Sequence, residues 1–321
     1  MKRAIATQVS KRPADVIDIV DLPAPEERPG WVRVDVKATA LNQHDLWSIR
    51  GVGVKPEQFP LGVGSDVAGV TAEGREVLVH SLVTDPANPT GSELLDPARA
   101  MLAERTTGGA ADAIWVPTRN LVDKPSSMSF ETAACLPTAW LTAYRMLYGV
   151  GEARPGQSVL VQGATGGVAQ AAISLAIAGG LQVHVTARTE DGRAVAEAMG
   201  AHVVLESGGR LPQRVDLVIE TVGQATWEHS LRSVKPGGAV VVSGATTGGS
   251  VTVDLFRVFI PHVRILGSSM GTISDLRDLV ALIASAGIEP AVDSVHPLDA
   301  TAEAVARLAG GQAVGKVLIR P

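Results

Sequence analysis

The stretch "VLVQGATGGVAQAAISLAIAGG", residues 159–180, sets Gly163, Ala164, Thr165, Gly166 and Gly167 between a branched apolar run and an alanine-rich run. That order reads as a strand, a tight turn and a helix opened by Gly167 and Val168. A helix N-terminus carries unpaired backbone N–H groups and a partial positive charge, which suits a pyrophosphate. Residues with little or no side chain at 163, 164, 166 and 167 let such a ligand reach the backbone. A strict G-x-G-x-x-G is absent, because its last position is Ala169 and its first, in one register, is Ala164. Small residues also serve plain packing of helix on sheet, so the weight of the reading falls on the strand–helix–strand unit around them.

In dinucleotide-binding folds a carboxylate roughly 20 residues further on binds the adenosine ribose of NAD. Here the next strand, "QVHVTA", ends at Ala187 and is followed by Arg188 and Thr189, with no acidic group at the strand end. A guanidinium there can pair with a 2′-phosphate and stack on adenine, which points to NADPH rather than NADH.

These residues need a scaffold, and the chain shows two textures. Up to about Pro125, short alternating segments such as "WVRVDVKATAL" and "AADAIWVPTRNLV" read as a β-rich domain. After the helical stretch "SFETAACLPTAWLTAYRML", the apolar strands "QSVLVQ", "QVHVTA", "HVVLE", "VDLVIETV", "AVVVSG" and "VRILGS" alternate with helices. That pattern indicates a parallel sheet covered on both faces. The expected organisation is a β-rich domain over 1–125, a dinucleotide-binding domain over 126–270, and a segment 271–321 that finishes the cofactor domain and returns to the first.

The bulk composition excludes several classes. With 321 residues, 45% of them hydrophobic and 19% charged, the chain reads as a globular protein of two domains. A net charge of −5 provides no basic stripe for nucleic acid. Gln170, Ser174, Gln182 and His184 interrupt the alanine-rich run, which argues against a membrane span. A single cysteine, Cys135, allows neither an internal disulfide nor a cysteine cage for zinc, and it suits a buried apolar position in a cytoplasmic protein.

Five stretches carry a family resemblance: "ALNQHDLWSIRG" (40–51), "LGVGSDVAGV" (61–70), "GATGGVAQAA" (163–172), "VIETVGQATWEHSLRSVKPGGAVVVSGATTG" (218–248) and "ILGSSMGT" (265–272). With the domain order, they resemble the medium-chain dehydrogenase/reductases, particularly the zinc-independent quinone oxidoreductase branch. The fold implied is α/β, a Rossmann-type doubly wound parallel sheet plus a β-rich GroES-like catalytic domain. Zinc-containing relatives bind a catalytic metal through a cysteine, a Gly-His-Glu segment and a later cysteine or aspartate. This chain has Asn42 at the first position, Gly64-Ser65-Asp66 at the second and Thr138 near the third. The resemblance therefore implies no metal and a site lined by neutral polar groups.

It also implies that Asn42 and Asp45 flank the nicotinamide, although both residue types equally serve as helix or turn caps. Where related reductases place a tyrosine, this chain has Trp47, which leaves Asp45, Thr138, Tyr144 or water as proton source. Further cofactor contacts implied are Thr221 and Val222, Gly244 and Ala245, Ser268, Ser269 and Met270, with Lys316 either at a phosphate or ribose or simply solvated. The apolar "VRILGSS" strand, taken as the sheet edge, suggests a homodimer. The activity implied is hydride transfer from NADPH to a quinone or an α,β-unsaturated carbonyl. The alternatives are an alcohol dehydrogenase or carbonyl reductase, and a non-catalytic NADPH-binding redox sensor.

Overall fold

Strand β1 (Lys2–Ala6) pairs antiparallel with β2 (Ile17–Asp21) and β4 (Leu61–Gly62), while β3 (Trp31–Ala40) is the central strand of a larger sheet. The computed structural model describes residues 1–25, 28–88 and 90–321. Around β3 lie β5 (Asp66–Thr71), β6 (Glu76–Val79), β9 (Ala113–Pro117) and β10 (Leu121–Asp123), with β7 (Leu82–Val83) and β8 (Ala100–Met101) as a separate pair. The alternation seen in the sequence is the physical reason: Val34 and Val36 on β3 meet Val67, Val77, Val79, Ile114 and Val116 on one face.

The second texture forms six parallel strands: β11 (Ser158–Gln162), β12 (Gln182–Ala187), β13 (Val203–Glu206), β14 (Val215–Glu220), β15 (Val234–Val242) and β16 (Arg264–Gly267). Their order in the sheet is β13-β12-β11-β14-β15-β16, so the direction of strand addition reverses between β11 and β14. Ligands of such sheets bind beyond the carboxyl ends at that switch point. The fold is thus α/β with a β-rich domain. Among the described residues no helix is long and apolar enough to cross a membrane.

By packing, the chain divides into residues 1–138 with 272–321, and residues 139–271. The segment 271–321, expected to finish the cofactor domain, belongs to the first unit from Thr272 onward. The cause is its last two strands, β17 (Val292–Pro297) and β18 (Lys316–Arg320): β18 runs antiparallel to β3, Leu318 opposite Ala40, and parallel to β17. The Thr301–Ala309 helix adds Ala304, Val305 and Leu308 to a core with Leu41, Leu46 and Val317. The first break also lies later than 125, because the Phe130–Cys135 helix packs on β3 and β5. That helical stretch is not uniformly α. It widens to π turns at Leu136–Trp140 and Arg145–Val150. Pro137 in the first of these lacks an N–H and crowds the carbonyl four residues back, which accounts for the wider turn there.

Under the carboxyl ends of β11 and β14 lies a buried polar network. The fully buried Glu220 carboxylate accepts from Val222 N (2.7 Å), Gly223 N (3.0 Å), Thr226 Oγ1 (2.9 Å) and Ser230 Oγ (2.6 Å). Gln162 adds bonds to Ser230, Thr186 and His229. Glu220 therefore shapes the turn 221–223. Glu220→Leu removes the shared acceptor of two N–H groups and two hydroxyls and should lower the unfolding free energy by more than about 3 kcal/mol, against about 1–2 kcal/mol for Glu220→Gln. Urea unfolding midpoints check the contrast.

Candidate active site

In the second unit, Gly163 has φ +92°, a region favouring glycine, and its N–H donates to Thr186 O at 2.8 Å. Gly166 differs. Its φ is an ordinary −74°, and a Cβ placed on it would meet no atom within 4 Å. Neither backbone nor packing requires glycine there, so the open space in front of the turn is available to a ligand. Gly166 is the N-cap of the Gly167–Ala178 helix, has no side chain to cap it, and no acidic residue stands in the first turn. The N–H groups of the first turn, Val168 included, are thus free for an anion. The Ala164 side chain is buried, and Thr165 is partly exposed at the turn.

The other expected cofactor residues of this unit follow strand ends at the same sheet edge. Thr221 and Val222 follow β14, their carbonyls accepting from Thr246 N and Thr247 N. Gly244 and Ala245 follow β15, and Ser268, Ser269 and Met270 follow β16. Ser268 Oγ is buried and has no hydrogen-bond partner, an orphan that a bound polar group would satisfy. An uncapped helix, a clear approach and an unpaired hydroxyl fit a dinucleotide. Arg188 is exposed just beyond β12, while the Thr189 hydroxyl accepts from Gly192 N (3.1 Å) as an N-cap. Sequence reasoning missed Arg193, whose guanidinium folds back to Ala187 O (3.4 Å). The available signal was a cation in the first turn of a helix, where it opposes the helix dipole.

In the first unit, strands bring together groups far apart in sequence. β3 ends at Ala40, opposite Asp66 at the start of β5, and Leu41 N bonds Val317 O, next to Lys316. The buried Lys316 ammonium uses its three donors on Leu41 O (3.0 Å), Asn42 Oδ1 (2.6 Å) and Asp66 Oδ2 (3.2 Å). Asn42 Nδ2 donates to the same Asp66 oxygen (2.8 Å) and, more weakly, to Ala40 O (3.5 Å). Ser81 Oγ bonds Asp66 Oδ1 (3.2 Å), and Thr138 Oγ1 donates to Ser81 (3.3 Å).

Two expectations need correction. Lys316 is neither a solvated surface lysine nor free for a phosphate, since all three of its donors are engaged inside the first unit. Nor is the site lined by neutral groups alone, because beside the neutral Asn42, Ser65 and Thr138 the Asp66 carboxylate forms a buried ion pair with Lys316. A tetrahedral zinc site needs four N, S or O donors. Here the ammonium already sits between Asn42 and Asp66. No group of three or more His, Cys, Asp or Glu that could hold a metal occurs among the described residues. The donor set does not fit zinc.

Asp45 stands in the first turn of the Gln43–Ile49 helix, its carboxylate accepting from Asn42 N (2.7 Å), Gly64 N (3.2 Å) and Ser65 Oγ (3.4 Å). Burial pushes its pKa up to about 6, although the Asn42 N–H and the neighbouring His44 pull the other way. Beside it, burial disfavours the His44 imidazolium, but Glu104 at 2.9 Å outweighs this and raises the pKa. Cys135 is buried, its thiol pushed up to about 12 by desolvation. Asn42, Asp45 and Thr138 thus belong to one polar cluster. Tyr144 lies in the second unit, its ring tilted against Tyr148 with centroids 5.2 Å apart. Trp47 supports the Arg50 guanidinium, 5.3 Å from its ring.

The family descriptions "Alcohol dehydrogenase GroES-like domain" and "Zinc-binding dehydrogenase" match residues 28–126 and 167–285. A zinc-type alcohol dehydrogenase-like protein of Schizosaccharomyces pombe is 30% identical, over 91% of each chain. The chain belongs to the medium-chain dehydrogenase/reductase superfamily. A quinone oxidoreductase of Mus musculus is 27% identical, covering 92% of this chain and 89% of that one. A solved structure described as an NAD-dependent alcohol dehydrogenase is 31% identical with a TM-score of 0.92, both chains fully covered. The protein is accordingly an oxidoreductase of this superfamily.

The folded protein holds the Asp45 proton more tightly than the unfolded chain, whose carboxyl has the ordinary value of 3.8. The resulting stabilisation is full below about pH 4 and is lost as the pH rises through about 6. Relative to Asp45→Asn, the wild type should therefore lose up to about 3 kcal/mol across that window. Parallel denaturant titrations of both proteins at several pH values check this.

Proposed function

We propose that this oxidoreductase transfers hydride from NADPH to a quinone or an α,β-unsaturated carbonyl compound without a metal ion. The observation that carries the reading is the Lys316 ammonium seated on Asn42 and Asp66, where a zinc enzyme of the superfamily keeps its metal. Reduction of a simple carbonyl concentrates charge on one oxygen and calls for a strong electrophile. A conjugated acceptor spreads that charge, and alignment with general-acid help suffices. The quinone oxidoreductase relative supports the same substrate class.

The bound cofactor supplies the hydride. The open turn at Gly166 and the first helical N–H groups would hold its diphosphate. Thr221, Val222, Gly244, Ala245 and Ser268–Met270 lie at the strand ends that would line the rest of it. Arg188 and Arg193 supply two guanidiniums at the end of β12 for a 2′-phosphate. Asn42 is a positioning residue, its carboxamide fixed from both ends by Lys316 and Asp66. Asp45, buried and with its pKa raised to about 6, is the candidate proton source, with Thr138, Tyr144 and water as the alternatives. A second reading, alcohol oxidation, is favoured by the descriptions of several similar proteins and of both family models, but it lacks the metal donors.

The edge strand β16 leaves Ile265 40% exposed. Beside it in sequence, Leu255, Phe256, Phe259 and Ile260 are each more than half exposed. A sheet edge flanked by so much apolar surface favours pairing with a second copy, and we take the protein to be a homodimer.

After chelation, NADPH oxidation followed by its absorbance should proceed with quinones and enones and not with simple aldehydes. Silence across the conjugated acceptors, with NADPH bound, would remove the reductase reading in favour of a sensor. Arg188→Ala and Arg193→Ala should each lower the NADPH over NADH preference by about tenfold, whereas an unchanged ratio would overturn the assignment of the 2′-phosphate to these arginines. Ile265→Lys should convert the dimer to a monomer in sedimentation, and a wild type that is already monomeric refutes the pairing.

A further inference from the structure

One pocket lies in the first unit and is lined by none of the residues placed in the reductase chemistry. It has a volume of about 260 Å³ and is bounded by Arg3, Arg28, Arg105, Trp31 and Trp115, with Leu61 among its apolar floor. Its size falls just below the ~300–1,000 Å³ of pockets for drug-sized ligands, so it suits a smaller molecule.

The chemistry of the lining is one-sided. Three guanidiniums and no carboxylate stand among the described lining residues. Among the described residues, three acids near the lining in sequence are already engaged: Asp21 holds the α-ammonium of Met1 at 2.6 Å, Asp112 accepts from Lys2 N at 2.7 Å, and Glu104 binds His44 and Ser48. Arg3 Nε is buried and has no hydrogen-bond partner, and burial lowers the pKa of its guanidinium. A buried, unpaired donor on a planar fork is costly unless something accepts from it. The two indoles are held in place by guanidiniums on their faces, Arg28 at 5.4 Å from Trp31 and Arg33 at 5.5 Å from Trp115. Two indoles and a guanidinium fork in one lining match a flat ring bearing a planar anion.

We propose that this pocket is a binding site for a small aryl carboxylate, with the carboxylate on Arg3 and the ring between Trp31 and Trp115. The carboxylate is bonded by the fork, which a neutral amide of the same shape does not satisfy. The site belongs to the β-rich unit alone and involves neither Asn42 nor the Gly166 turn.

Titration calorimetry on the full chain tests this with benzoate, benzamide and inorganic phosphate as probes, with and without saturating NADPH. Benzoate should bind at least tenfold more tightly than benzamide or phosphate, and NADPH should not displace it. Arg3→Gln should weaken benzoate at least tenfold. Arg28→Gln, at an exposed position outside any strand, should do so several-fold with unchanged melting, which keeps the test decisive if the Arg3 variant is unstable. Trp115→Leu should weaken benzoate and benzamide alike. Absence of benzoate binding, equal affinity for benzamide, tighter binding of phosphate, or indifference to the arginine changes overturns the proposal. Displacement by NADPH does so too.

Discussion

A single ammonium group inside the β-rich unit organises much of what surrounds it. Removing a charge from water costs several kcal/mol unless its partners are complete, and Lys316 meets that condition with a backbone carbonyl, a carboxamide and a carboxylate from separate segments. Such a pair contributes little net stability against a well-packed apolar substitute, but it admits few arrangements. The end of β3, the N-cap of the following helix and the beginnings of β5 and β18 must all meet in one register to satisfy it. Asn42 is thereby immobilised, and its N–H in turn fixes the Asp45 carboxylate.

Much of the second unit was legible in the chain. Its six strands are short and apolar, most are separated by helices, and each appears near its expected place, because burial of the central strands on both faces leaves an unbroken hydrophobic signature. The glycine turn was legible for the same local reason. Arg193 was not, since its guanidinium reaches the strand end only once the helix has turned it back toward Ala187.

The first unit was legible as β-rich and little further. Lys316 and Asp66 are 250 residues apart in sequence, and nothing local to either marks a partner. Asp66 stood in view as part of Gly64-Ser65-Asp66, but its charge was read without the cation that balances it. The helix after Ser129 shows a similar limit: its apolar pattern forecasts a helix, while the π turn at Leu136–Trp140 depends on how Pro137 is accommodated. Periodicity reports which face is buried. It does not report which distant residue completes a polar site.

The placement of β18 beside β3 has a consequence for how the chain is made. The second unit is contiguous, residues 139–271, and can close on itself once those residues have emerged. The first unit cannot, because the strand next to β3 is supplied by residues 316–320. During synthesis, the N-terminal strands wait with an open edge and an unneutralised Asp66 until residues 316–320 have been made. The unit begun first is thus finished after the one that interrupts it.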